Sequence, residues 1–299
     1  MNMKKVGVFL LISILSLGLV LSGCSSTPTS EDQTAKNEQK AKRKVTLSYV
    51  AWASEIASTN VVKTILEDKL GYEVDMKQVN PGAMYNSVAS GEADATVAAW
   101  LPTTQKALYE KHKDKLENLG PNLEGTIIGL VVPKYVDINS IEELNENKDK
   151  FNGDIVGIDA GAGIMATTDI AIEKYGLDLN LRSSSDAAMT AALDRAYKNN
   201  EWIVVTGWTP HWMFAKYDLK YLEDPKGVYG EAEEIDTLVR KGLKEDDPTL
   251  YNFFDQFYWE PSDMEQVMGW IQDGMDETEA AKKWVEENEE KIKAWLSAE

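Results

Sequence analysis

Cysteine is all but missing: Cys24 is the one thiol in 299 residues, so no disulfide can close within a single copy of the chain. Histidine is nearly as scarce, with only His112 and His211. A GxSxG elbow, an HExxH helix and a usable active-site thiol are all lacking, which removes the parts that nucleophilic and zinc-assisted hydrolysis need. A hydrolase built on paired carboxylates stays open only because there are 50 acidic residues to choose from. GxGxxG and GxxxxGK(S/T) are missing too, so no loop is shaped to cradle a phosphate. Basic residues number 31 against those 50 acids, a net charge of −19 that speaks against nucleic acid and against adhesion to anionic lipid. Many of the acids run along helices such as 277–299, where they form solubilising outer faces, and His112, between Lys111 and Lys113, reads as part of a solvated face. The expectation is a protein that is not an enzyme and carries no cofactor and no metal.

The longest apolar run, 6–21, follows Lys4 and Lys5 and leads into Leu21-Ser22-Gly23-Cys24. It falls short of the ~20 residues of a membrane-spanning helix. Small residues around a lone cysteine make 1–23 a lipoprotein signal peptide and Cys24 the lipidated residue, with a retained, uncleaved anchor as the alternative. From 24 to 44 the chain is rich in Ser, Thr, Glu, Gln and Lys and has almost nothing to bury, which predicts a disordered tether. The protein is then expected on the outer face of the cell membrane, held to the bilayer through Cys24.

From Val45 onward the pattern is that of an α/β protein. Strands are predicted over 45–51, 72–78 and 93–99, separated by helices over 56–70 and 83–90, and this alternation implies βαβ units and parallel pairing. After a strand over 126–132 the grammar restarts: strand 155–158, helices 164–175 and 186–197, strand 202–206. Val97-Ala-Ala-Trp100-Leu-Pro102 has its counterpart in Val205-Thr-Gly-Trp208-Thr-Pro210, a strand end meeting Trp-x-Pro in each half. A strand over 234–239 and helices over 247–258, 262–271 and 277–297 complete the chain and are expected to cover the first half. Two lobes follow: 45–130 with 232–299, and 131–231.

Open parallel sheets take ligands at the carboxyl ends of their strands. Four segments arrive at such ends, carrying Trp52, Trp100, Gly161-Ala-Gly163-Ile164 and Trp208. Trp202, Trp259, Trp270, Trp284 and Trp295 are assigned to the core, being at a strand start or at apolar helix positions. Three indoles at matched strand ends suit a cation without hydrogen-bond donors, because the ring quadrupole attracts it without an anion. The glycine segment opens a helix whose first amides lack partners, an anion site suited to a carboxylate, though it also suits an ordinary tight turn. A quaternary cation at one end and a carboxylate at the other describe a betaine.

The strings Tyr49-Val-Ala-Trp52, Val97-Ala-Ala-Trp100-Leu-Pro102, Gly157-Ile-Asp-Ala-Gly161-Ala-Gly163-Ile164 and Thr206-Gly-Trp208-Thr-Pro210-His211-Trp212 resemble the substrate-binding lipoproteins of osmoprotectant ABC importers, the glycine betaine-binding family. The resemblance runs from about Val45 into the C-terminal helices. It implies a two-lobed, type II periplasmic-binding-protein-like fold, each lobe a mostly parallel sheet flanked by helices, with the ligand in the interlobe cleft. It implies that Trp52, Trp100 and Trp208 cage a trimethylammonium group and that the amides of Gly163 and Ile164 receive the carboxylate. It implies as partners a membrane permease and a cytoplasmic ATPase. Where the family often carries a carboxylate-binding histidine, this chain has Gln105, which can donate but does not titrate. Carnitine, choline, proline betaine and a dimethylsulfonio analogue remain alternative ligands, and the resemblance gives His211 no role.

Overall fold

A computed structural model describes residues 43–297; the expected signal peptide, Cys24 and all but the last two residues of the expected tether lie outside them. Three strands open the fold, β1 (Lys44–Tyr49), β2 (Glu73–Gln78) and β3 (Ala95–Leu101), joined by helices α1 (Ala53–Asp68) and α2 (Pro81–Ser90). The ends of α2 follow from its sequence. Asn80 accepts from the Ala83 amide at 2.9 Å, Pro81 occupies the first position with its preset φ, and Gly91 stops the helix at φ +78°. Then come α3 (Lys106–His112) and the long strand β4 (Leu116–Pro133).

The second half holds β5 (Asp154–Val156), α4 (Gly163–Tyr175), β6 (Asn180–Arg182), α5 (Asp186–Asn199), β7 (Val205–Thr209), α6 (Met213–Lys216) and β8 (Leu219–Tyr221). The chain returns through β9 (Glu233–Arg240) and ends in α7 (Leu243–Asp246), α8 (Pro248–Gln256), α9 (Pro261–Gln272), α10 (Glu277–Glu287) and α11 (Glu289–Ser297).

The strand order is β2-β1-β3-β9-β4-β7-β5-β6, with β8 also on β4. Pairing is parallel for β2-β1-β3 and for β7-β5-β6, as the βαβ pattern requires, whereas β9 and β4 run antiparallel to their neighbours. Each sheet is therefore mixed, and the antiparallel strands are the ones that carry the chain between lobes. Leu116 to Thr126 of β4 pairs with β9, and Ile127 to Pro133 pairs with β7 and β8. The change of partner falls a few residues before the boundary expected after 130.

Four sequence expectations need correction. The 116–125 part of β4 shows no clean alternation, because Gly120, Pro121 and three register shifts interrupt it, so a strand was expected only from 126. Trp202 lies outside a strand, β7 starting at Val205; Trp202 and Trp270 are only partly buried, each under a lysine, Lys150 at 4.1 Å and Lys283 at 3.9 Å from the ring centroid. Trp259, Trp284 and Trp295 are core as expected. The last helix breaks at Asn288, whose side chain donates to the Trp284 carbonyl at 2.9 Å, and the break sets Trp284 and Trp295 in a stack 6.1 Å apart. His112 is buried rather than solvated: it packs 6.4 Å from the Tyr85 ring, and burial, then Lys111 and Lys115, push its pKa down. Flanking lysines hid that inward face.

Candidate functional site

The three tryptophans converge. Trp52 is the N-cap of α1, and Trp100 and Trp208 occupy the penultimate positions of β3 and β7, so two come from the first sheet's side and one from the second's. All three are buried, none more than 5% exposed, and Trp52 and Trp208 tilt at 54° with centroids 6.4 Å apart. With Thr104, Gly163 and Ile164 they line a small cavity of about 20 Å³, room for about one water, so the three indoles nearly fill the space between them. The Leu101–Pro102 and Thr209–Pro210 peptide bonds, one after each matched tryptophan, are both cis.

Each indole N–H leads to a carboxylate. Trp52 Nε1 donates across the cleft to Asp159 Oδ2 at 3.0 Å, and Trp100 Nε1 donates to Glu55 Oε1 at 2.7 Å. Trp208 Nε1 donates to Ser54 Oγ at 3.2 Å, and that hydroxyl donates to Glu55 Oε2 at 2.5 Å. Burial pushes the Glu55 carboxyl up to about 7; the bonds from Ser54 and Trp100 oppose the shift and nearby Asp186 adds to it. Asp186, at the start of α5, accepts the Ala53 amide at 2.8 Å and so caps α1 from the opposite lobe. Its other oxygen lies 3.3 Å from His211 Nε2 without hydrogen-bond alignment.

The other end of the cavity is built from amides. Gly163 and Ile164 are the first residues of α4, and among the described residues neither N–H donates to a protein group, whereas the equivalent end of α1 is filled by Asp186. Gly163 must be glycine: a Cβ there would lie 2.0 Å from the Thr104 carbonyl oxygen, so its absence lets the start of α4 reach the loop after β3. Gln105 stands in that loop, 2% exposed. Its Oε1 accepts from Tyr85 OH at 2.9 Å and from the Trp100 amide at 3.2 Å, which fixes the amide's sense and leaves Nε2 as a buried donor without a partner. Glu233, at the start of β9, accepts the Thr103 and Thr104 amides at 3.0 Å each and the Thr104 hydroxyl, and so holds the loop in place. A wider, open groove outside Asp186 is lined by Asp194, Lys198 and Lys216 on one side and by Ile56, Met268 and Ile271 on the other.

A family profile described as the substrate binding domain of ABC-type glycine betaine transport system matches residues 43–287. The chain belongs to this family. Its members are substrate-binding transport proteins rather than enzymes. The chain is similar to the glycine betaine/carnitine transport binding protein GbuC of Listeria monocytogenes serotype 1/2a (strain 10403S), 55% identical over 150 residues, 49% of this chain and 50% of that protein. The glycine betaine-binding periplasmic protein OusX of Dickeya dadantii (strain 3937) is 28% identical over 211 residues, 64% of this chain and 63% of that one. The chain thus spans from half to under two thirds of these curated relatives. Among solved structures, lactococcal OpuAC in its closed-liganded conformation with glycine betaine is 44% identical with a TM-score of 0.82, covering 86% of this chain and all of that one. An ABC-transporter choline binding protein in complex with choline is 30% identical with a TM-score of 0.79, covering 85% of this chain and 91% of that one. The two-lobed α/β fold of these proteins is the fold of this chain.

All six residues named from the sequence meet at one cavity wall or directly behind it. The sequence did not single out Ser54, Glu55, Asp159, Asp186 and Glu233. Ser54 and Glu55 follow Trp52 by two and three residues, and an acid and a hydroxyl in the first turn of a helix beside an aromatic strand end was a signal available to be used; Asp159 sits within the Gly157-to-Ile164 string with no role read for it, and Asp186 and Glu233 act across long sequence distances that no local pattern marks.

Proposed function

We propose that the chain is the extracytoplasmic solute-binding lipoprotein of an ABC importer that takes up glycine betaine or a related quaternary-ammonium compatible solute for osmoprotection. Trp52, Trp100 and Trp208 cage the trimethylammonium group, and the amides of Gly163 and Ile164 with Gln105 Nε2 hold the carboxylate. The observation that carries this reading is the pairing, at one cavity, of three indoles with the unpartnered amides of Gly163 and Ile164 and, behind its wall, the unpartnered Gln105 Nε2. A cation that is large and donorless gains from the faces, and an anion gains from the amides. The lobes, 45–130 with 232–299 and 131–231, close on the ligand, because cage residues come from both; ligand therefore selects the closed form. That form is presented to a membrane permease driven by a cytoplasmic ATPase, with Cys24 anchoring the protein in the bilayer. Among the described residues no helix is long and apolar enough to cross a membrane.

Calorimetric titration of glycine betaine, carnitine, choline and proline betaine into the protein lacking residues 1–24 tests the reading. Betaine is expected to bind, and Trp208→Ala to weaken it by about 2 kcal/mol, roughly thirtyfold. Unchanged affinity in that variant refutes the cage. A carnitine preference is the second reading, favoured by the similarity to a glycine betaine/carnitine transport binding protein.

A further inference from the structure

The carboxylate end of the site does not account for the charge behind the cage. Glu55 is 1% exposed, both its oxygens accept hydrogen bonds, and among the described residues no Lys, Arg or His pairs with it. The charged neighbour that acts on it is another acid, Asp186. An unpaired anion in the interior is costly, and hydrogen bonds alone do not balance it. A neutral amide in its place could accept from Trp100 Nε1 at a smaller desolvation cost.

The location gives the charge a use. Glu55 reaches two cage indoles from opposite lobes, Trp100 directly and Trp208 through Ser54, while Asp159 receives the third, Trp52. An anionic acceptor on an indole N–H pushes electron density into the ring and makes its faces more attractive to a cation. The same charge attracts that cation directly through a low-dielectric wall.

We propose that Glu55 is the buried counter-ion of the ligand's cationic head and the residue that makes the cage select a permanent positive charge over an apolar group of equal shape. The inference rests on the cage reading and deepens it: the indoles supply the shape, and Glu55 supplies the sign. It also positions both indoles, so that the cage is assembled only when Ser54 meets Trp208 across the cleft.

The test compares glycine betaine with 3,3-dimethylbutanoate, which has the same shape and carboxylate but a carbon in place of the charged nitrogen. Calorimetry on wild type is expected to show a strong preference for betaine. Glu55→Gln keeps an oxygen for Trp100 Nε1 and removes the charge; it is expected to narrow that preference by roughly tenfold or more, chiefly by weakening betaine. Glu55→Asp keeps the charge and shifts the hydrogen bonds; it is expected to keep most of the preference even where both ligands bind less well, which separates charge from positioning and serves if the glutamine variant does not fold. A wild-type preference that survives intact in Glu55→Gln overturns the role of Glu55 and leaves the cage standing. Loss of preference in Glu55→Asp as large as in Glu55→Gln likewise reduces Glu55 to a positioning residue. No preference in wild type overturns the cage and this inference together.

Discussion

Replacing Gln105 by methionine removes one amide and keeps the side chain's length and bulk. In the folded protein the amide does two things: Oε1 ties Tyr85 OH and the Trp100 amide, and Nε2 waits without a partner. A hydrogen bond to a charged group contributes about 1.5–3 kcal/mol net, and a buried donor left unmade costs a similar amount. On the proposed reading, binding of a carboxylate relieves the Nε2 orphan and makes a charge-assisted bond. Its removal is expected to weaken betaine binding by about 1.5–3 kcal/mol, from roughly tenfold to somewhat over a hundredfold. Choline carries the same trimethylammonium group and no carboxylate, so its affinity in Gln105→Met should move far less. Titration of both ligands into both proteins, following tryptophan fluorescence, gives the difference. Equal losses for betaine and choline refute the reasoning, since they mean that Gln105 supports β3 and the cage rather than the anion. A Tyr85→Phe control, which removes only the partner of Oε1, should leave the betaine-to-choline ratio unchanged.

Two further expectations follow from close approaches and from charge. Gly163→Ala puts a methyl 2.0 Å from the Thr104 carbonyl oxygen; closure must then stop short, and small-angle scattering with saturating betaine should show a more extended particle than wild type, compaction equal to wild type counting against it. The Glu55 carboxyl is raised by burial from an ordinary 4.5 to about 7, so its neutral form persists toward neutral pH. Its raised value means that the proton-linked stability is fully present below about 4.5 and is lost as pH rises through about 7, with a ceiling of about 3.5 kcal/mol at roughly 1.4 kcal/mol per unit. A cation stabilises the ionised form instead, so betaine affinity should climb over that window, and calorimetry that finds it flat between about pH 5 and pH 8 rules the linkage out.

Much of the fold was legible because parallel βαβ units announce themselves. Apolar runs such as Val97-Ala-Ala, bounded by helices with readable caps such as Asn80 and Gly91, need no tertiary information. The cage was legible for a related reason: a repeated Trp-x-Pro at two strand ends is a local pattern that topology converts into proximity. The antiparallel start of β4 was not, since its stability comes from pairing with β9, more than a hundred residues on, while its own residues include Gly120 and Pro121. His112 was misread because solvated lysines on either side dominate a short window. The carboxylates behind the indoles were invisible for a different reason. Asp159 and Asp186 sit among small and apolar residues with nothing nearby in sequence to mark a partner, and only the approach of one lobe to the other gives them indole and amide partners.

The two passages between the lobes lie side by side. Thr126, where β4 changes partner, pairs with Glu233, where the chain re-enters the first sheet. On the proposed closure, one lobe would swing against the other about this pair, as a door turns about two adjacent pins, with little travel at the pins and much at the cage. Glu233 is also the residue that grips Thr103 and Thr104, the loop against which Gly163 stops. The pivot and the doorstop are thus bolted to the same carboxylate, and the angle at which the door shuts is set at its hinge.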